Sequence, residues 1–193
     1  QPTSVVWSGD GETKTKGLGV LGYDKALVFA LDLHNKSYRN ILPVGCQFVD
    51  VNFNIFNVWT KNRNRSTPDK RAYIDYVIDA LPFYSVLGYE KAIFLGDFNA
   101  DKIITGKRFE KAVSLFDNYG LKSAYHQFNK VDFTNEKHPT EYFLRDRSRP
   151  FHIDYAFCSS YWIDRMKRLD IGEYDGWREY SDHMPIIIDF ENS

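Results

Sequence analysis

The chain has 193 residues, of which 43% are hydrophobic and 17% aromatic, with a formal net charge of −1 and a pI near 6.6. That composition supports one domain with a sizeable core and excludes a disordered chain. The near-neutral charge excludes a bulk polycation that coats nucleic acid, and no apolar stretch is long enough to span a bilayer.

The N-terminus, Gln1-Pro2-Thr3-Ser4, has no basic region followed by an apolar core, so no secretory signal is read. Cys46 and Cys158 both lie in apolar, strand-like contexts. They are expected to be buried free thiols of a reducing, cytoplasmic compartment rather than a disulfide or a metal site.

In chain order, Ala26–Leu33, Ile41–Val51 and Phe53–Thr60 read as strands rich in Val, Ile and Phe. Asp69 suits the N-cap of a helix whose buried face carries Tyr73, Tyr76, Val77, Ala80 and Leu81. Pro82 should end or kink that helix. Lys91–Leu95 reads as a short central strand. Phe109, Ala112, Val113 and Phe116 mark a second amphipathic helix, with Gly120 as its stop. Tyr142–Leu144, Phe151–Phe157 and Met184–Phe190 read as further strands, with a short helix over Tyr161–Lys167. Many strands and few helices predict two sheets packed face to face with helices outside.

Three clusters carry polar groups at ends of apolar runs, where a rigid strand presents a side chain to an open loop. Gly96-Asp97-Phe98-Asn99 follows Ala92-Ile93-Phe94-Leu95. Asp97 and Asn99, two apart in an extended segment, would face the same way, one taking a proton from water and the other orienting it. An Asx-type turn closing the strand is the equal alternative. In Phe151-His152-Ile153-Asp154-Tyr155-Ala156-Phe157, one strand face would carry His152, Asp154 and Ala156. Ser181-Asp182-His183-Met184-Pro185 leads into Ile186-Ile187-Ile188, and Asp154 is the candidate partner for His183.

Charge is uneven along the chain. Lys61, Arg63, Arg65, Lys70 and Arg71 crowd one loop, and Arg145, Arg147 and Arg149 precede the Ile-Asp-Tyr segment. Either group could neutralise phosphate or be a solvated loop, and the second abuts the candidate site. Ser123-Ala124-Tyr125-His126 and His138-Pro139-Thr140 read as ordinary loop and strand-end residues, with pocket walls as the second reading.

The Gly-Asp-Phe-Asn turn, the Ile-Asp-Tyr strand and the Ser-Asp-His turn, in that order, resemble the endonuclease/exonuclease/phosphatase superfamily over Lys16 to Phe190. The resemblance implies an α/β, DNase I-like four-layer sandwich of two mostly antiparallel sheets flanked by helices, here one domain over residues 1–193. It implies a metal-dependent phosphoesterase, nuclease-like, that hydrolyses a phosphodiester with an activated water. The alternative is a non-catalytic phosphate- or nucleic-acid-binding relative. By the same resemblance Asp97 is the base, Asn99 the orienting amide, and Asp154 with His183 the pair at the scissile phosphate. Asp182 would help to bind Mg2+ or Mn2+, and Asn62, His152 and Arg149 are candidate substrate contacts. The expected partner is nucleic acid or another phosphodiester.

The pattern departs in two places. Trp59-Thr60-Lys61-Asn62 stands where some members carry a Tyr or His, so Trp59 is expected to pack or stack. Members also open with a strand ending in Asn and another ending in a metal-binding Glu. No such motif precedes Lys16, and Glu12, in Gly9-Asp10-Gly11-Glu12, sits in a loop composition. The chain is therefore expected to be N-terminally incomplete, to bind magnesium poorly, to show little or no phosphodiesterase activity, and either to be less stable than the whole domain or to bury its exposed sheet edge against a second copy in a homo-oligomer.

Overall fold

The computed structural model describes residues 1–9, 16–61 and 73–191. The predicted Asp69 cap, Glu12, Asn62 and the basic residues Arg63, Arg65, Lys70 and Arg71 lie outside the described residues.

The frame is a six-stranded sheet. Its strands are β3 (Ala26–Ala30), β4 (Ile41–Phe48), β5 (Val51–Trp59), β6 (Ala92–Asp97), β7 (Leu121–Ser123) and β10 (Asp154–Ser159), in the spatial order β3-β4-β5-β6-β10-β7. All its pairings are antiparallel except β5 with β6. That parallel pair requires a crossover, which α1 (Asp75–Tyr84) supplies. With α2 (Lys107–Asn118), α1 covers one face of the sheet. The layer between is aromatic and dry: Phe56 stacks on Phe94 at 4.2 Å and Phe116 on Phe157 at 4.0 Å, all fully buried or nearly so. Rings of this size contribute most of the buried apolar area, and hence most of the driving force for this layer.

The other face carries two hairpins. One pairs β1 (Ser4–Gly9) with β2 (Gly17–Gly22) and packs over β3, β4 and β5. The other pairs β11 (Met166–Ile171) with β12 (Ile186–Phe190) over β10, joined there by α3 (Ala124–Asn129) and α4 (Ser160–Ile163). Between them the apolar side chains of β5, β6 and β10 line an open cavity of about 690 Å³. The second sheet layer thus consists, among the described residues, of two separate hairpins. A small β8 (Glu141–Tyr142) and β9 (Pro150–Phe151) pair beside the sheet, and α5 (Tyr174–Trp177) precedes β12.

Several expected boundaries move. The strand expected over Ala26–Leu33 ends at Ala30. The run read as one strand to Val51 breaks at Val49, whose φ of +54° turns the chain into β5. Pro82 does not end α1 where it stands; the helix runs on to Tyr84, because a missing N–H so near the C-terminus forfeits a single bond. The helix expected over Tyr161–Lys167 is one turn, and Met166–Ile171 forms β11 because Ile186–Phe190 offers it a partner. Tyr142 leaves β8 directly into a 3-10 turn, so Tyr142–Leu144 is not a strand. The β1–β2 hairpin was not expected from its glycines. Trp7 lies across Gly17 and Gly19, where a side chain would collide with or crowd its ring.

Cys46 and Cys158 are buried free thiols, each pushed up to about 12, chiefly by burial.

Candidate active site

The site forms where β6 and β10 end side by side. Their antiparallel register places Asp97 opposite Asp154. Gly96 has a φ of +130°, and a Cβ there would collide with the Val58 carbonyl, so this position requires glycine. The chain then turns sharply: Phe98 N–H donates to Ile153 O at 3.0 Å, and the Phe98 side chain fills the aromatic core.

Asn99 is not extended. Its φ is +47°, and it closes an Asx-type turn: its backbone N–H donates to Asp97 Oδ1 at 2.7 Å and its Nδ2 to Asp97 Oδ2 at 2.6 Å. Nδ2 also donates to Thr60 O at 2.8 Å, so both amide protons are used. Asn99 therefore orients the Asp97 carboxylate, and the expected same-way pair of an extended strand is replaced by this turn. Thr60, fully buried, donates through its backbone N–H to Asp97 O at 2.9 Å and through its hydroxyl to Phe98 O.

His183 Nδ1 meets Asp154 Oδ2 at 2.9 Å. Its backbone N–H donates to Ser181 Oγ at 2.9 Å, and a bridge to Glu141 holds the loop against β8. With Nδ1 engaged, Nε2 is the nitrogen that can meet a ligand. Gly96, Asp154, Ser181 and His183 line the 690 Å³ cavity, together with apolar residues such as Trp162 and Phe190.

The charges shape each other. Burial, then the Asp154 charge, pushes Asp97 up to about 7, against the pull of His183 and the Asn99 N–H. Burial alone would lower His183, but the Asp154 bond and the nearby Asp97 and Glu141 outweigh it and push it up to about 9. Burial and the neighbouring Asp182 and Asp154 raise Glu141 against the pull of His183. Both groups are thus held above their ordinary ranges, Asp97 chiefly by burial and His183 by its carboxylate neighbours.

Asp97, Asn99, Asp154 and His183 come together as the sequence suggested. Asp182 is adjacent in the chain, its backbone carbonyl accepting Tyr142 N–H at 2.8 Å. Arg149 is exposed, with its guanidinium 4.2 Å over the Phe143 ring. His152 is a correction. It is 7% exposed among Tyr125, His126 and Tyr155, with Nδ1 on His138 O at 2.8 Å and Nε2 unpartnered. His152 and Ile153 form a break between β9 and β10, outside both strands, where the Ile153 and Asp154 N–H groups both turn to the Thr140 hydroxyl. Sequence reasoning did not single out Thr60 or Glu141 as site residues. Their signal was weak, since each stands beside rather than within a motif.

No group of three or more His, Cys, Asp or Glu side chains among the described residues is arranged to hold a metal ion. Magnesium commonly takes one or two carboxylates with water and phosphate.

No protein-family model and no curated protein matches the sequence. Solved structures do match the fold. The endonuclease domain of TRAS1, a telomere-specific non-LTR retrotransposon, superposes with a TM-score of 0.67 at 17% identity, over 96% of this chain and 77% of that one. An AP endonuclease from Archaeoglobus fulgidus gives 0.65 at 15%, over 97% and 79%. The AP endonuclease LMAP from Leishmania major gives 0.70 at 10%, over 98% and 70%. At these identities the likeness speaks for architecture, and this chain has the DNase I-like fold of the endonuclease/exonuclease/phosphatase proteins.

Proposed function

We propose that this protein is a nuclease-like phosphodiesterase. The observation that supports this best is the meeting of Asp97 and Asp154, opposite each other at adjoining strand ends, with His183, bonded to Asp154, beside a cavity that Asp154 and His183 line. In this reading Asp97, ionised above about pH 7, takes the proton from an attacking water. His183, charged below about pH 9 and held by Asp154, faces the phosphoryl oxygens, where negative charge builds in the transition state. The water oxygen bonds to phosphorus, the ester P–O bond breaks, and the alcohol leaves with a proton from solvent. Asn99 and Thr60 keep Asp97 in place.

The test is a cleavage panel on abasic DNA, single-stranded DNA, RNA and phospholipid headgroups, with magnesium, with manganese and with chelator. Cleavage of a nucleic acid that depends on His183 is expected. The second reading is a site that binds phosphate without turning over. Phosphate-induced shifts of the His183 ring resonances with no product on any substrate would favour it. Neither shifts nor product would overturn both.

A further inference from the structure

We propose that Thr140 is the positioning residue that locks Asp154 to His183. The inference extends the phosphodiesterase reading, but its geometry stands apart from the reaction. Thr140 is fully buried, and its hydroxyl oxygen accepts two successive backbone N–H groups, Ile153 at 3.0 Å and Asp154 at 2.9 Å. Two neighbouring N–H groups cannot reach one oxygen from an extended strand, where they point opposite ways. This hydroxyl is therefore what the break at His152–Ile153 is built around.

The need for it follows from the sheet. β7 pairs with β10 only at Phe157, Cys158 and Ser159. Beyond Phe157, the side of β10 facing away from β6 has no strand to satisfy its backbone, and buried N–H groups must be paired. Thr140 supplies the acceptor. Its own backbone then reaches both halves of the pair: its N–H donates to Phe151 O at 2.8 Å, and its carbonyl accepts Met184 N–H at 2.7 Å, one residue past His183. One buried side chain and its peptide groups thus tie the chain before Asp154 to the chain after His183. The 2.9 Å contact between those two depends on that tie. His138-Pro139-Thr140 reads as an ordinary loop in the sequence, because no motif announces the hydroxyl.

The test compares Thr140→Val, which keeps the shape and loses the acceptor, with Thr140→Ser, which keeps the acceptor. In the parent protein the His183 Nδ1 proton shared with Asp154 should give a low-field proton resonance in water. Thr140→Val should lose or broaden it and lower kcat by about 10–10²-fold with KM little changed, as expected for a misplaced reacting group. Thr140→Ser should restore both. A Thr140→Val protein with lowered melting temperature but an intact low-field resonance and kcat would overturn the proposal, since hydroxyl loss would then affect stability alone. Should Thr140→Val not fold, the parent's amides decide it: Ile153 and Asp154 should be strongly protected from hydrogen exchange, and rapid exchange there contradicts the clasp. The resonance reports the geometry even if no phosphodiester is cleaved, so failure of the functional reading leaves this result legible.

Discussion

Two histidine–carboxylate pairs lie in this molecule at nearly equal distances. His183 meets Asp154 at 2.9 Å, and His126 meets Glu136 at 3.0 Å. Their surroundings differ. The His126 side chain is 5% exposed, its Nδ1 is taken by Ser123 Oγ at 2.7 Å, and its ring stacks on Phe133 at 3.8 Å. Both nitrogens are satisfied internally. The His183 side chain is 33% exposed, one nitrogen is engaged, and a second carboxylate, Asp97, stands across the strand pair. The same two functional groups form a closed strut in one place and leave a nitrogen open to a ligand in the other. What separates them is whether a nitrogen is left over and whether a ligand can reach it.

The comparison breaks most visibly in mutants. His183→Ala should cut turnover by about 10²–10³-fold, the usual effect of losing one transition-state contact, while the melting temperature barely moves. His126→Ala should do the reverse. It leaves the Glu136 carboxylate buried without its partner, a loss of about 2–3 kcal/mol, or a melting temperature lower by about 5–10 °C, with activity per folded molecule kept. Should His126→Ala instead abolish turnover in a folded protein, the two pairs would not be so different.

A smaller effect sharpens the contrast. Burial alone would raise Glu136, but the His126 hydrogen bond and backbone N–H groups outweigh it and hold Glu136 below the usual carboxylate range. A lowered folded-state value stabilises at pH above the unfolded value and is lost as pH falls through the folded one. The melting curves of the parent and Glu136→Gln should therefore differ at neutral pH and converge in acid. A constant gap from pH 7 to pH 3 would show that Glu136 carries no such linkage.

The frame of this fold is legible in the residues. The apolar run Ala92–Leu95 and the amphipathic spacing of Phe109, Ala112 and Phe116 announce β6 and α2, because burial sets those patterns directly. Asp97, Asp154 and His183 were legible because acids and imidazoles at strand ends need an explanation beyond packing. Three things were not. β1 and β2 are hidden by glycines whose purpose, seating Trp7 across the hairpin, exists only after pairing. Met166 and Lys167 read as the end of a helix, yet they open β11 because β12 offers hydrogen bonds from far along the chain. The displacement of His152 from the site depends on two amides sharing the Thr140 hydroxyl, a contact over 13 and 14 residues with no periodic trace.

The central claim, that Asp97 and His183 act as base and cation on one phosphate, is tested most directly by the pH dependence of phosphodiester hydrolysis. Asp97 must lose its proton, so the rate should rise with pH through about 7; His183 must keep its own, so the rate should fall through about 9. The predicted profile is a bell centred near pH 8. Asp97→Asn should remove the acid limb and His183→Gln the alkaline limb, each at much reduced rate. A profile that lacks both limbs, or keeps its alkaline limb in His183→Gln, would contradict the account.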